Sequence, residues 1–373
     1  MPCNKLMESR VSEGINRLID QNLPAFRLGF NGSERVEVLD GGCPQNQFLT
    51  HSLSNIVRIY TEYWPHCLLP RDKTMKKNVT FKTEDGTELV GWFFQATQNP
   101  APCIVMAHGF SATKEMHLSG FAETFQAAGM NVLVYDNRNL GESGGELRGE
   151  IDPDQQVRDY RDAITYVQGL DTVDASRIGV WGSSYSGGHV LVVAAKDRRV
   201  KCVVSQVPLV SGLENARRLV RSDHWEQLRE GFAADRAGRL RGEAPLRLPV
   251  VGNGPADACA LPTDDSREFF YGLSDEHRGA WVNEITLRSM ELFTEYEPGD
   301  WIGKIGPTPL MMVVGRSDHL TPADLTLKAY EQALEPKKLL VLDCAHFEAY
   351  TEESFNVSAP AQCSWFVEHL FKH

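Results

Sequence analysis

Residues 178–188 read Ile-Gly-Val-Trp-Gly-Ser-Ser-Tyr-Ser-Gly-Gly and run on into His189-Val190-Leu191-Val192. An apolar run, then small residues, then an apolar helical stretch marks a strand that turns straight into a helix. The side chain at the apex of so tight a turn is strained and exposed, and small residues two before and two after it are needed because the backbones crowd there. Ser184 meets this condition with Gly182 and Ser186 as its small neighbours. Ser186, flanked by Ser184 and Gly188, fits a second register. Position favours Ser184, which lies just past the last apolar strand residue, Trp181, whereas Ser186 would fall inside the first helical turn. The plainer alternative is a Ser/Gly-rich helix start without chemistry, and the strand and helix on either side weigh against it.

A serine hydroxyl is a weak nucleophile until an imidazole takes its proton, and the imidazole needs a carboxylate to fix its tautomer. Asp318 follows the apolar run Leu310–Val314 through Gly315-Arg316-Ser317, and His346 follows Val341-Leu342-Asp343-Cys344-Ala345. Both positions are the carboxyl ends of expected strands, where ligands bind in open parallel sheets. His319 beside Asp318 reads as a loop histidine, and Asp343 stands only three residues before His346, a poor reach back onto the same ring. The run Ile104–Ala107 ends in His108-Gly109-Phe110, where the backbone must turn sharply. The backbone N–H groups of Phe110 and Tyr185 are the expected oxyanion hole, each such donor being worth about 3 kcal/mol in the transition state. The side chain of His108 reads as structural, with a place in the substrate site as the alternative. No HExxH or His-x-His pairing occurs, so neither a metal nor any other cofactor is expected.

These groups need a scaffold. Asn78 to Thr83 alternates, Glu84-Asp85-Gly86 signals a turn, and Thr87 to Phe94 resumes as a strand, giving a hairpin. Beyond it, apolar runs (103–107, 131–135, 177–181, 200–204) alternate with helical stretches (120–128, 155–167, and one through Val193). The pattern returns at 309–314, 323–334, 338–342 and a last helix ending at Phe371. This is the strand–helix alternation of a mostly parallel sheet flanked by helices, an α/β class. It is interrupted over 208–305, an expected inserted helical cap rich in aromatic residues, of which Trp225 and Trp281 are candidate substrate-binding residues. For any single aromatic there, packing is the plainer reading. Apolar residues at helical spacing near Val11–Ile19 and Ile56–Trp64, separated by loops, suggest an N-terminal helical extension. The expected organisation is therefore extension 1–70, core 71–207, cap 208–305 and core 306–373.

Composition bounds the rest. The chain has 373 residues, 42% apolar and 24% charged, which suits an ordinary globular protein with a large core. A formal charge of −12 repels phosphate, so no nucleic acid and no anionic membrane is an expected partner. The start of the sequence has no secretory apolar core, no stretch approaches a membrane span, and the eight cysteines show no CxxC spacing; a cytoplasmic address with reduced thiols is expected. The arginines of 217–247 are interleaved with carboxylates and read as a solvated helix face, with docking of an acidic acyl-carrier domain as the sharper alternative. A small-molecule acyl substrate is the expected partner, and a homodimer is left open.

The segments Ala107–Phe110, Tyr135–Ser143, Trp181–Gly188, Gly315–Asp318 and Ala345–Phe347 resemble the α/β-hydrolase superfamily over residues 76–373. Asn139 and Leu140 stand where that pattern usually continues with Gly, which bears on loop shape rather than chemistry. More narrowly, Gly182–Val190 and Ala345–Tyr350 resemble the fungal polyketide transferase family. The resemblance implies an α/β-hydrolase fold and hydrolysis or transfer of polyketide acyl groups. Acyl-Ser184 chemistry on an ester, thioester or lactone is the expected function. The alternatives are acyl transfer to an alcohol or amine, carbon–carbon hydrolysis of a diketone, and a silent ligand-binding protein that kept the fold.

Overall fold

The computed structural model describes residues 27–31, 35–39, 76–254 and 257–371. The chain divides into two units, Met1–Lys73 and Thr74–His373. Within the first, strands β1 (Arg27–Asn31) and β2 (Arg35–Leu39) pair antiparallel, with Arg27 opposite Leu39 and Asn31 opposite Arg35. This hairpin occupies a stretch that reads as loop, because two strands of five residues give too short an alternation to stand out. The helical periodicities at 11–19 and 56–64 lie outside the described residues.

The second unit opens with the antiparallel pair β3 (Lys76–Lys82) and β4 (Glu88–Phe94). There follow β5 (Ala101–Ala107), β6 (Asn131–Tyr135), β7 (Val173–Ser183) and β8 (Val200–Gln206). A two-residue pair, β9 (Arg247–Leu248) and β10 (Ile285–Thr286), interrupts the series before β11 (Leu310–Gly315) and β12 (Lys337–Leu342) complete it. The sheet order is β12-β11-β8-β7-β5-β6-β4-β3, parallel from β12 to β6 and antiparallel at β4 and β3. Every residue of β5, β6 and β11 is buried, as continuous apolar runs require when helices cover both faces.

Helices α1 (Leu118–Ala127), α2 (Pro153–Gln168) and α3 (Tyr185–Lys196) connect the first parallel strands. Asp152 caps α2 by accepting from the N–H groups of Asp154 and Gln155, with Pro153 in the first turn where no donor is needed. Between β8 and β11 run α4 (Gly212–Leu219), α5 (Trp225–Leu240), α6 (Asp264–Gly272), α7 (Asp275–Arg278) and α8 (Leu287–Glu295). The chain ends through α9 (Ala323–Tyr330) and α10 (Glu352–Leu370). Phe121 and Phe125 of α1 meet Trp365 and Phe366 of α10 in the core on one sheet face. Tyr160, Ile164, Val190, Leu191 and Ala329, from α2, α3 and α9, belong to the core on the other.

Candidate active site

The β7–α3 turn holds Ser184 at φ 57°, ψ −117°, a region that a residue with a side chain enters only at a cost. The turn is held on both sides: the Ser184 N–H donates to the Gln206 carbonyl at 2.9 Å, and its own carbonyl accepts from Leu209 (3.0 Å) and Gly188 (3.2 Å). A Cβ on Gly182 would stand 2.1 Å from the Ser186 carbonyl oxygen, and one on Gly109 would stand 2.6 Å from Ser184 Cβ. Those two close approaches are why glycine occupies both positions. Ser186 is fully buried and its Oγ donates to the His108 carbonyl at 2.5 Å. Ser183 is also fully buried, hydrogen-bonded to the Tyr350 hydroxyl. Of the three serines, Ser184 alone lines the cavity described below.

His346 Nε2 lies 3.1 Å from Ser184 Oγ, and its Nδ1 lies 2.7 Å from Asp318 Oδ2. Nδ1 thus faces the carboxylate and Nε2 faces the serine hydroxyl, one ring nitrogen to each partner. Asp318 Oδ1 accepts from the N–H groups of Leu320 (2.9 Å) and Thr321 (2.7 Å), so the turn after β11 fixes the carboxylate. Thr321 Oγ1 lies 2.9 Å from Asp318 Oδ2 and 3.2 Å from His346 Nδ1, and it also reaches the Val207 carbonyl. His346 and Asp318 are both buried. The rivals stand apart: His319 is exposed, and the exposed Asp343 carboxylate faces Arg316 at 3.5 Å.

Phe110, in the loop after β5, and Tyr185, at the start of α3, line the same cavity. Among the described residues neither N–H has a hydrogen-bond partner. His108 shapes this loop: its Nδ1 accepts from the Gly109 N–H at 2.7 Å and its Nε2 meets the Met116 carbonyl at 2.9 Å. Burial lowers its pKa to about 3, keeping the ring neutral. His108 lines the cavity with both ring nitrogens already engaged, so what it presents to the cavity is ring surface rather than a free nitrogen.

Lys114 in the same loop is fully buried and its Nζ meets Glu142 (2.6 Å), Glu115 (2.7 Å) and Asp136 (2.8 Å). Those three carboxylates are close enough together to hold a metal ion, but the ammonium already stands among them. The cluster ties the loop after β5 to the end of β6. Arg138 extends it, bonding Asp159, Asp85 and Gln155.

Ser184 and His346 open on a cavity. Its walls are apolar: Phe110, Leu209, Leu261, Phe270, Phe293, Leu320 and Phe347, with Asn215 among them. Neither candidate tryptophan lines it. Trp281 stacks on Phe270 (4.8 Å, 20°) and borders a separate cavity beside Ser111 and Asn139. Trp225 is half-buried under the Arg229 guanidinium, 5.7 Å from its ring. Of the arginines between 217 and 247, Arg217, Arg218, Arg221, Arg236, Arg239, Arg241 and Arg247 each pair with a carboxylate within 2.9 Å.

Residues 102–353 match the model of the alpha/beta hydrolase fold family. The chain belongs to that family. It is 31% identical over 304 residues to a thiohydrolase of Eupenicillium brefeldianum, covering 80% of this chain and 96% of that one. It is 33% identical over 268 residues to a polyketide transferase of a Penicillium species, covering 72% and 87%. The solved structure of the alpha/beta hydrolase GrgF from Penicillium sp. sh18 superposes with a TM-score of 0.69 at 29% identity, over 82% of this chain and all of that one. The chain thus resembles the fungal polyketide transferases within the family, and these relationships support an enzyme.

Several residues that complete this α/β-hydrolase site carry no local signal. Thr321 and Tyr350 act across 25 and 167 residues of sequence on His346 and Ser183. Asn215 and Phe293 reach the cavity from helices α4 and α8, whose sequences carry no motif. Among the described residues no helix is long and apolar enough to cross a membrane.

Proposed function

We propose that this α/β-hydrolase is a serine enzyme that opens an ester, thioester or lactone through an acyl-Ser184 intermediate, on a polyketide-type or other secondary-metabolite substrate. The observation that carries the reading is the hydrogen-bonded chain Ser184–His346–Asp318 facing an apolar cavity. His346 Nε2 takes the Ser184 proton as Oγ bonds to the substrate carbonyl carbon. Asp318 stabilises the resulting imidazolium through Nδ1–H. The carbonyl oxygen gains a negative charge, which the N–H groups of Phe110 and Tyr185 are free to hold. Collapse of the tetrahedral species breaks the bond to the leaving oxygen or sulfur, which takes the proton from Nε2. Water, deprotonated by His346, repeats the sequence and releases the acid.

A second reading is acyl transfer, in which an alcohol or amine replaces water at the acyl-enzyme. It is supported by the relatives named polyketide transferase and by the dry wall that Phe110, Phe270, Phe293 and Phe347 give the site. Docking of an acidic carrier domain has less to support it, since every arginine of 217–247 except Arg229 is paired with a carboxylate.

The test is mass spectrometry of the intact protein after mixing with a panel of acyl thioesters and esters. A mass increase equal to the acyl group, mapped to Ser184 and absent in Ser184→Ala, is the expected result, with Ser186→Ala still acylated. Turnover without any adduct, or an adduct that persists in Ser184→Ala, defeats the proposal. Adding alcohols or amines to the preformed adduct then separates free acid from transferred acyl product.

A further inference from the structure

The apolar cavity is lined by a buried amide that the acyl chemistry does not use. Asn215 on α4 is 2% exposed and lines the cavity with Ser184 and His346. Its Nδ2 donates to the Leu320 carbonyl at 2.9 Å, which fixes the amide orientation and leaves Oδ1 as the remaining group. Among the described residues Oδ1 has no hydrogen-bond partner. A buried amide oxygen left without a donor is costly, and native structures keep few of them.

The other polar side chains of the lining are already committed. His108 uses both ring nitrogens, Tyr350 bonds Ser183, and Thr321 bonds Val207 and Asp318. Tyr185 also lines the cavity and has an unpartnered hydroxyl, but its ring is packed among Phe110, His189, Phe293 and Tyr296. The Asn215 amide has a second role that keeps it in place. Leu320, whose carbonyl it holds, is two residues past Asp318 and donates its N–H to that carboxylate. The acceptor is therefore anchored to the turn that carries the candidate acid.

We infer that Asn215 Oδ1 is a specificity determinant that accepts a hydrogen bond from a hydroxyl on the acyl chain of the substrate, so that the enzyme selects hydroxyacyl groups over their deoxy counterparts. The inference rests on the proposed acyl-Ser184 chemistry and names its substrate class. A site built to pair a substrate O–H rejects the analogue lacking it, because binding the analogue leaves the buried acceptor unpaired and now cut off from water. A plain apolar wall gives no such discrimination. The donor belongs to the acyl group, so the preference must appear in acylation and not only when an alcohol attacks the acyl-enzyme.

The experiment uses the full chain and paired N-acetylcysteamine thioesters, each hydroxyacyl matched to its deoxy form, with the hydroxyl moved stepwise along the chain. Pre-steady-state acylation rates are read for the native protein and for Asn215→Leu. At one hydroxyl position the native protein should favour the hydroxyacyl form by about 10- to 100-fold. Asn215→Leu should bring that ratio within about threefold of one, largely by accepting the deoxy form better. Because any shift of the Asp318 turn slows both members of a pair alike, the ratio isolates recognition from positioning. A second arm measures affinities of the same pairs for Ser184→Ala and for Ser184→Ala combined with Asn215→Leu. That arm reads Asn215 even if Ser184 forms no adduct, so failure of the acyl-enzyme reading is told apart from failure of this one. A native ratio near one at every position, a ratio that Asn215→Leu leaves unchanged, or a preference confined to attack by alcohols would each overturn it.

Discussion

The rings of Phe110 and Tyr185 meet edge to face, 5.3 Å apart at 89°, so the two residues proposed to offer their N–H groups to the oxyanion are packed against each other through their side chains. Phe293 of α8 closes the cluster, stacked on Tyr185 (5.7 Å, 11°) and edge-on to Phe110 (5.7 Å, 83°). An amide donor stabilises a developing oxyanion only if it is held where the charge will form. The segment between β8 and β11 thereby packs against both proposed donor residues from a position more than a hundred residues later in sequence.

Phe293→Leu should lower the acylation rate about tenfold while the cavity gains room for bulkier acyl groups. Phe293→Ala should in addition cost about 3 to 5 kcal/mol of unfolding free energy, since it empties a buried ring. Burst kinetics across acyl groups of increasing width, alongside urea unfolding, measure both. If Phe293→Leu loses stability but acylates at the native rate with an unchanged size preference, the aromatic cluster is packing alone.

Tyr350 and His346 share one short turn, and the Tyr350 hydroxyl bonds Ser183, the residue before Ser184. Ser183 Oγ is also within 3.5 Å of Gln206 Nε2, and Gln206 in turn accepts from Gln362 and, through its carbonyl, from Ser184 N–H. The Tyr350 phenol thus helps fasten the turn that carries His346 to the end of β7, where Ser183 precedes Ser184. Tyr350→Phe should reduce kcat about tenfold with KM within about twofold of native, because ground-state contacts persist while the Ser184–His346 alignment loosens. The unfolding free energy should fall by about 1 to 3 kcal/mol for the buried hydroxyl left unpaired at Ser183. A native kcat in a Tyr350→Phe protein that has lost this stability would show that the bond has no positioning role.

How much of this was legible depends on how far apart the partners lie. Gly182, Ser184 and Ser186 could be read together because the steric demand of the turn is local; Ser186 is buried against the His108 carbonyl, whereas Ser184 lines the cavity. Asp318 and His346 could be read because each follows an apolar strand, and strand ends of a parallel sheet fall along one edge. Trp281 shows the limit. Composition marks an aromatic-rich insertion, but which rings face Ser184 depends on how the helices roll, and Phe270 and Phe293 take the cavity while Trp281 stacks behind Phe270. Asn215 is invisible for the same reason, a lone amide on a short helix whose meaning comes from Leu320 and the cavity. The β1–β2 hairpin escaped because its strands are too short to outweigh the loop-forming residues around them.

The last prediction concerns acid. His189 on α3 is fully buried, its Nδ1 2.9 Å from the Tyr296 hydroxyl and its Nε2 2.8 Å from Gln156 Oε1. The arrangement suits a neutral ring that donates from Nε2 and accepts from the phenol, and burial depresses its pKa to about 3 from an ordinary 6.5. The sign follows from proton counting. Between those two values the unfolded chain holds the His189 proton and the folded chain does not, so unfolding takes up a proton and stability falls as pH falls. Above 6.5 neither state is protonated and the group adds no pH dependence. Within the window one such histidine contributes a slope of about 1.4 kcal/mol per pH unit. His108 acts in the same direction but is unchanged in a His189 variant, so a difference of slopes isolates His189. His189→Gln should be less stable than native at neutral pH, having lost the Tyr296 contact, yet its stability should decline less steeply on acidification, and the two curves should converge toward about pH 4. Urea unfolding at half-unit pH intervals reads the slopes directly. Parallel curves for the two proteins below pH 6.5 would mean that His189 is protonated inside the fold, and the neutral hydrogen-bonded ring between Gln156 and Tyr296 would have to be abandoned.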